Sequence, residues 1–126
     1  QIFIENAIQG NEITINGDGE DGLDFTYIED LIIGIASCCS NQNSQNQNFN
    51  ITFGKSKKIN DLLKLLMQEF PKVKVNYKER EKFMPERGTL KIDKAKKLLN
   101  FKSKNSIEAG YVKYIEWYKK FWKEAK

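Results

Sequence analysis

Apolar positions recur along the chain with two different periods, and each change of period marks an element. Ile2, Phe3, Ile4, Ala7 and Ile8 stand at roughly helical spacing, and Gly10 follows where a helix C-cap favours glycine. Residues 12–16 alternate around Ile13 and Ile15 with the β-branched Thr14 between them, which predicts a short strand. Residues 17–22 read as a loop and 24–27 as extended chain. Ile28, Leu31, Ile32 and Ile35 then predict a helix to about Ser37, with those four residues facing inward. Residues 49–52 (FNIT) are a second strand candidate. Ile59, Leu62, Leu63, Leu66, Met67 and Phe70 share one face of an amphipathic helix that Pro71 ends. Val73, Val75 and Tyr77 alternate inward along a third strand. Residues 79–90 are irregular, 92–99 predict a short helix, and Ser106 is the N-cap of a last helix running to about Trp122. Tyr111, Tyr114, Ile115 and Tyr118 form its inner stripe, with Trp117, Phe121 and Trp122 adding aromatic bulk. The expected fold is a small α/β lobe, with several helices around three short strands.

Length and composition narrow this picture. A chain of 126 residues suits one domain with one real core. The longest apolar run, 31–36, falls far short of the ~20 residues that cross a bilayer, so no membrane role is expected. The chain begins at Gln1 in mid-pattern, which reads as a severed or processed chain. Residues 41–48 (NQNSQNQN) are polar and of low complexity, and an exposed, mobile loop is expected there. Cys38 and Cys39 are sequence neighbours, only ~3.8 Å apart at their alpha carbons, too close for ordinary disulfide geometry. With no His in the chain, a Cys/His zinc site is excluded. A reduced, cytoplasmic protein is the expectation.

Charge is distributed unevenly. All 21 Lys and Arg lie in 55–126, whereas 1–54 hold eight acids and no base, so the two parts carry −8 and +12. Such asymmetry can mark a nucleic-acid-binding tail. It also follows if the two parts simply pack together and attract each other.

Two motifs resemble phosphate-binding loops and fail on physical grounds. Gly17-Asp18-Gly19-Glu20-Asp21-Gly22 matches G-x-G-x-x-G after a strand. That motif works because a helix opening in the loop points bare N–H groups at a pyrophosphate. Here extended residues follow, and three carboxylates in the loop would repel phosphate. The same acids do not meet the spacing of an EF-hand loop. Gly54-Lys55-Ser56 ends like a P-loop, but Phe49 stands where the first glycine is required. No Tyr has Lys four residues later, so no helix stacks a phenol beside an ammonium. The chain's own residues form no catalytic constellation.

Three longer segments carry a different signal. Residues 13–35 (ITINGDGEDGLDFTYIEDLIIGI) run strand, G-D-G loop, D-F-T-Y-[VI]-x-D and helix. Residues 49–66 (FNITFGKSKKINDLLKLL) follow F-N-I-[GT]-x-G-x-x-x-[ST]-I-x-E-L. Residues 80–120 are like R-x-x-x-x-P-x-R-G-T-L-D-I-x-K-A-x-x-L-L-G, then S-[LI]-E-x-G and a closing helix, with Lys91 in place of the Asp and Asn100 in place of the Gly after L-L. In this order the segments resemble the carboxyl-terminal part of extended short-chain dehydrogenase/reductases, the NAD-dependent epimerases and dehydratases of nucleotide sugars. The resemblance covers nearly the whole chain. It implies a two-part isomerase or lyase, in which an amino-terminal doubly wound domain holds NAD and the reactive Tyr/Lys pair. The smaller carboxyl-terminal lobe, here 1–126 without that Rossmann domain, grips the nucleotide-sugar substrate and is inactive alone.

Site residues follow from the same resemblance. Thr14, Ile15 and Asn16 are expected beside the base, and Arg80 and Asn50 near the diphosphate. Phe83 stands where many relatives carry Asp, and Leu23 where many carry a diphosphate-binding Arg. Lys55, Lys57 or Lys82 are candidates to compensate. Arg87 has two open roles, a substrate contact or a brace for Asp93 or a nearby acid. The guanidinium fork suits phosphate oxygens, which agrees with Arg80. Expected partners are the nucleotide-sugar, the NAD-binding domain and a second copy in a homodimer. The competing classes are a nucleic-acid module using the basic half with Tyr111, Trp117 and Trp122, and a protein-interaction domain.

Overall fold

The computed structural model describes residues 1–85 and 87–124; Glu86 of the P-x-R-G-T-L segment lies outside the described residues. Helix α1 (Ile2–Gln9) ends on Gly10 in the left-handed conformation (φ 75°) and leads into strand β1 (Ile13–Asn16). Strand β2 (Gly22–Leu23) and helix α2 (Ile28–Ser40) follow. Strand β3 (Lys57–Lys58) runs straight into helix α3 (Ile59–Glu69), and strand β4 (Val75–Lys78) comes next. Helices α4 (Asp93–Leu99) and α5 (Ile107–Glu124) close the chain.

β1 and β4 pair in parallel, with Ile13 opposite Val75 and Asn16 opposite Lys78. β2 and β3 form a separate antiparallel pair. The larger core gathers Ile4, Ile13, Ile15, Leu63, Leu66, Ile115 and Tyr118, so α1, α3 and α5 close over β1. A smaller one joins Ala95, Leu99 and Phe101 to Phe49 and Ile51. The α/β class and the five helices agree with the pattern of the sequence. Asn100 takes the left-handed cap of α4 at φ 53°, a conformation that Asn tolerates better than most side chains.

Three expectations need correction. Residues 49–52 form no strand; the segment is anchored by side chains instead, with the Thr52 hydroxyl, and the Gly54 N–H just beyond it, donating to the Asp24 carboxylate (2.9 and 3.0 Å). Tyr77 does not point into the core, although it stands opposite the buried Ile15: the residue is 49% exposed, and its hydroxyl donates to Asn60 Oδ1 at 3.0 Å, a polar tie on the surface side. The inner face of α2 is not Ile28, Ile32 and Ile35, which are 58%, 57% and 53% exposed. Asp30 and Gly34 are buried instead. Asp30 accepts the backbone N–H groups of Lys104 and Asn105 and the Asn105 amide, all within 3.1 Å. Gly34 lets Ile51 approach so closely that a Cβ there would lie 2.3 Å from its Cγ2. Hydrogen bonding and close approach thus rotate α2 away from the orientation its apolar stripe alone would choose.

In the polar tract at 41–48, Asn41 donates to Leu98 O at 2.9 Å and Ser44 donates to Cys38 O at 2.6 Å. Residues 45–48 are exposed.

Candidate functional site

The parallel register sets up the site. Because β1 and β4 run the same way, their carboxyl ends lie together. Asn16 is opposite Lys78, and the Gly17 N–H donates to Lys78 O at 2.8 Å. Two residues after β4 comes Arg80, whose stem lies over Gly17; a Cβ at that glycine would sit 3.7 Å from Arg80 Cβ. Gly17 has φ 87°, so both backbone angle and space favour glycine there.

The loop over 17–22 is held against the start of α3. Ile59 N donates to Asp21 O (3.3 Å) and Asn60 N to Gly19 O (3.0 Å), so loop carbonyls satisfy N–H groups that begin the helix. The Asn60 side chain adds bonds to Asp18 O and Glu20 (3.0 and 2.7 Å). Lys58 pairs with Glu20, and this contact depresses the Glu20 carboxyl below its ordinary value. The three acids of the loop are therefore mostly occupied: Asp18 accepts from Glu20 N, Glu20 from Lys58 and Asn60, and Asp21 from Arg80.

Beside this loop lies a cavity of about 210 Å³. It is lined by Thr14, Ile15 and Asn16 of β1, by Asp21 and Leu23, by Met84, Pro85 and Arg87, and by Phe3 and Ile59. Of the seven expected substrate residues, Thr14, Ile15, Asn16 and Arg87 come together here. Arg80 is one step removed. Its Nη1 donates to Asp21 Oδ1 at 2.7 Å and its Nη2 to Met84 O at 3.4 Å. Asn50 lies elsewhere, donating to Lys91 O at 3.0 Å, and Phe83 is 97% exposed. Of the three lysines considered in place of the missing Arg, Lys57 is bound to Glu108 at 2.7 Å. Lys55 and Lys82 are exposed outside the cavity wall.

Sequence reasoning missed Asp21 and Asn60 as parts of this site. It treated the loop's acids only as a source of repulsion. The signal available was the nearby Lys58 and Arg80, which could neutralise them. Asp24 was missed too: it gathers Thr52, Gly54 N and Leu90 N, joining three segments beside the site. Among the described residues no group of His, Cys, Asp and Glu could hold a metal ion. No described helix is long and apolar enough to cross a membrane.

A second cavity, of about 650 Å³, opens between the 25–28 segment and α5. Its walls are Phe25, Tyr27, Ile28, Tyr111, Tyr114 and Trp117, with Gly110 at its floor. Burial raises the Tyr111 hydroxyl pKa well above its ordinary value. No Lys or Arg side chain is among the described lining residues of this larger cavity, whereas Arg87 lines the smaller one, which is therefore the better candidate for an anionic ligand.

The fold is a small α/β lobe of the kind found in enzymes of nucleotide sugars. No family model matches the chain. An uncharacterized protein of Methanocaldococcus jannaschii is 29% identical over 122 residues, 92% of this chain and 36% of that protein. An epimerase of Methanothermobacter thermautotrophicus shares the fold with a TM-score of 0.91 over 97% of this chain and 37% of that one, at 22% identity. The UDP-glucose 4-epimerase of Thermotoga maritima, solved with UDP-glucose, is 32% identical with a TM-score of 0.84 over 95% of this chain and 38% of its own. The UDP-glucuronic acid 4-epimerase of Bacillus cereus, solved with UDP-glucuronic acid and NAD, is 28% identical with a TM-score of 0.77 over 90% of this chain and 38% of its own. The chain thus spans little more than a third of the proteins it matches. In sequence and fold the chain is similar to the carboxyl-terminal region of NAD-dependent epimerases and dehydratases of the extended short-chain dehydrogenase/reductase type.

Proposed function

We propose that residues 1–126 form the nucleotide-sugar-holding lobe of an NAD-dependent epimerase or dehydratase. The observation that carries this reading is the parallel β1–β4 pair, which brings Asn16 beside the segment bearing Arg80 and Arg87. Thr14, Ile15 and Asn16 offer the edge of a strand to a base. Arg87, and Arg80 behind Asp21, supply guanidinium groups for a diphosphate. Asn50 and Phe83 are assigned outer contacts, reached only by the far end of a longer ligand or by the NAD-binding part of such a protein. The Thermotoga and Bacillus structures support a uridine diphosphate sugar as the ligand class.

NAD does not fit this chain's own residues. The loop after β1 leads to strand β2 and not to a helix, so no helix N-terminus there offers bare N–H groups to the pyrophosphate of a dinucleotide. In the proposed reading NAD belongs to a separate doubly wound domain. The stripe of Ile28, Ile32 and Ile35 on α2, each more than half exposed, suits the face that such a domain would cover. The lobe's part in the reaction is to bind and orient the substrate, while hydride transfer is NAD chemistry supplied from outside these residues.

Titration of the chain with uridine diphosphate, followed by amide chemical shifts, tests the reading. Binding is expected to perturb Thr14, Asn16 and Asp21, and Arg87→Ala to weaken it about tenfold, the loss of one charge-assisted hydrogen bond. Perturbations confined to Tyr114 and Trp117 would move the ligand to the larger cavity and overturn it. A nucleic-acid role predicts instead an oligonucleotide affinity that falls steeply with salt.

A further inference from the structure

We propose that Asp21 is a specificity-determining charge of the nucleotide site. It occupies the Arg80 guanidinium in the free protein and yields it only to a ligand with enough negative charge to replace it. The inference rests on the reading of the site given above. Its starting point is that Asp21 lines the cavity and Arg80, among the described residues, does not. Arg80 meets the cavity through the Asp21 carboxylate at 2.7 Å.

The carboxylate is held where it is. The Asp21 carbonyl accepts from Ile59 N at 3.3 Å, and Gly19, two residues earlier, is packed beneath Asn60. A Cβ on Gly19 would lie 2.2 Å from Asn60 Oδ1, so the loop has little room to slide. A diphosphate entering the cavity therefore meets both a cation, Arg87, and an anion, Asp21, in its lining. The side chains of Arg80 and Asp21 are 35% and 23% exposed, so solvent screens their pairing only in part. Like charges about 5 Å apart in such a setting repel appreciably, and phosphate binding has to overcome that repulsion or displace the carboxylate. An uncharged nucleoside neither feels the repulsion nor gains from Arg80.

Replacement by Asn separates charge from position. Its Oδ1 can still accept from Arg80 Nη1, so the guanidinium stays in place, but the negative charge is gone. If Asp21 served only to position Arg80, Asp21→Asn would change binding little. As a competing charge, its removal strengthens binding of diphosphates and makes that binding steeper in salt.

The test is calorimetric titration of the full chain with uridine diphosphate and with uridine, for the wild type, Asp21→Asn, Arg80→Gln and the double variant. Asp21→Asn is expected to tighten uridine diphosphate roughly three- to tenfold and leave uridine unchanged. In the Arg80→Gln background that gain should shrink, because no guanidinium is left to be freed, and a double-mutant cycle reads the difference directly. Unchanged or weaker diphosphate binding by Asp21→Asn, with wild-type binding intact, overturns the inference and leaves the site reading standing. A gain undiminished by Arg80→Gln overturns it as well, because the charge would then act without the pair. Absence of uridine diphosphate binding in all four proteins overturns both. Circular dichroism establishes that each variant is folded, and Asp21→Ser is read in the same way if Asp21→Asn is not.

Discussion

Asp30 is 1% exposed, and among the described residues no basic side chain pairs with it. Its two oxygens are satisfied by two backbone N–H groups and one amide, all from residues 104 and 105. A buried carboxylate without such donors would be strongly disfavoured, and those N–H groups without the carboxylate would be orphaned. Asp30→Ala removes the acceptor and leaves three donors unpaired, so it is expected to destabilise the chain by about 3 kcal/mol. Urea denaturation followed by circular dichroism measures this, and a loss below about 1 kcal/mol would mean water takes over the donors. Asp24 plays a comparable part nearer the cavity, where its carboxylate collects Thr52, Gly54 N and Leu90 N. Both acids belong to the D-F-T-Y-I-E-D run, and they join segments far apart in sequence.

At the scale of elements, what the sequence made legible depended on which force sets each one. Helix α3 was legible because its apolar face does most of the packing: Leu62, Leu63 and Leu66 are buried as their spacing requires, although Met67, at the edge of that face, is 43% exposed. Helix α5 was legible for the same reason, with Ile115 and Tyr118 buried. The rotation of α2 was hidden, because it is set by partners of Asp30 some 74 residues away. Strands β2 and β3 are two residues each and have no period to read. The cavity walls at Thr14, Ile15, Asn16 and Arg87 came from resemblance, while the Asp21–Arg80 pair needed the fold. One inter-element tie has a pH consequence. Glu108, in the first turn of α5, is held at a pKa of about 2, chiefly by Lys57 of β3 and then by its own N–H and Ser106. A lowered folded value means that its stabilisation is complete above the ordinary value of 4.5 and is lost as pH falls toward about 2. The pair is half exposed, so the effect is small. Between those pH values the wild-type Tm should fall by roughly 1–4 °C more than that of Glu108→Gln, and equal slopes would remove the tie from the account.

For the molecule as a whole, the decisive feature is where apolar surface remains uncovered. Ile28, Ile32 and Ile35 stand at helical spacing along the outer side of α2, and Ile28 also lines the larger cavity. Trp117 lines the same cavity, 55% exposed, and stacks on Tyr114 and on Phe121, with ring planes 14° and 9° apart. Stripe and aromatic ladder thus meet at one opening, which makes the patch continuous and not a scatter of single exposed residues. A continuous patch of this kind is an interaction surface in most soluble proteins. With no other protein present, the partner at hand is a second copy. The chain is expected to self-associate as concentration rises, and sedimentation velocity reads this directly. Ile32→Glu with Ile35→Lys places opposite charges on the stripe at positions 57% and 53% exposed, where burial contributes little to folding. The double variant should sediment as a monomer at concentrations where the wild type does not, with stability changed by no more than about 0.5 kcal/mol per site. If the wild type is already monomeric throughout, the patch is too flat or too divided to hold two copies together. The face proposed for an NAD-binding domain would then need that domain's own shape, and not its apolar character alone, to be covered.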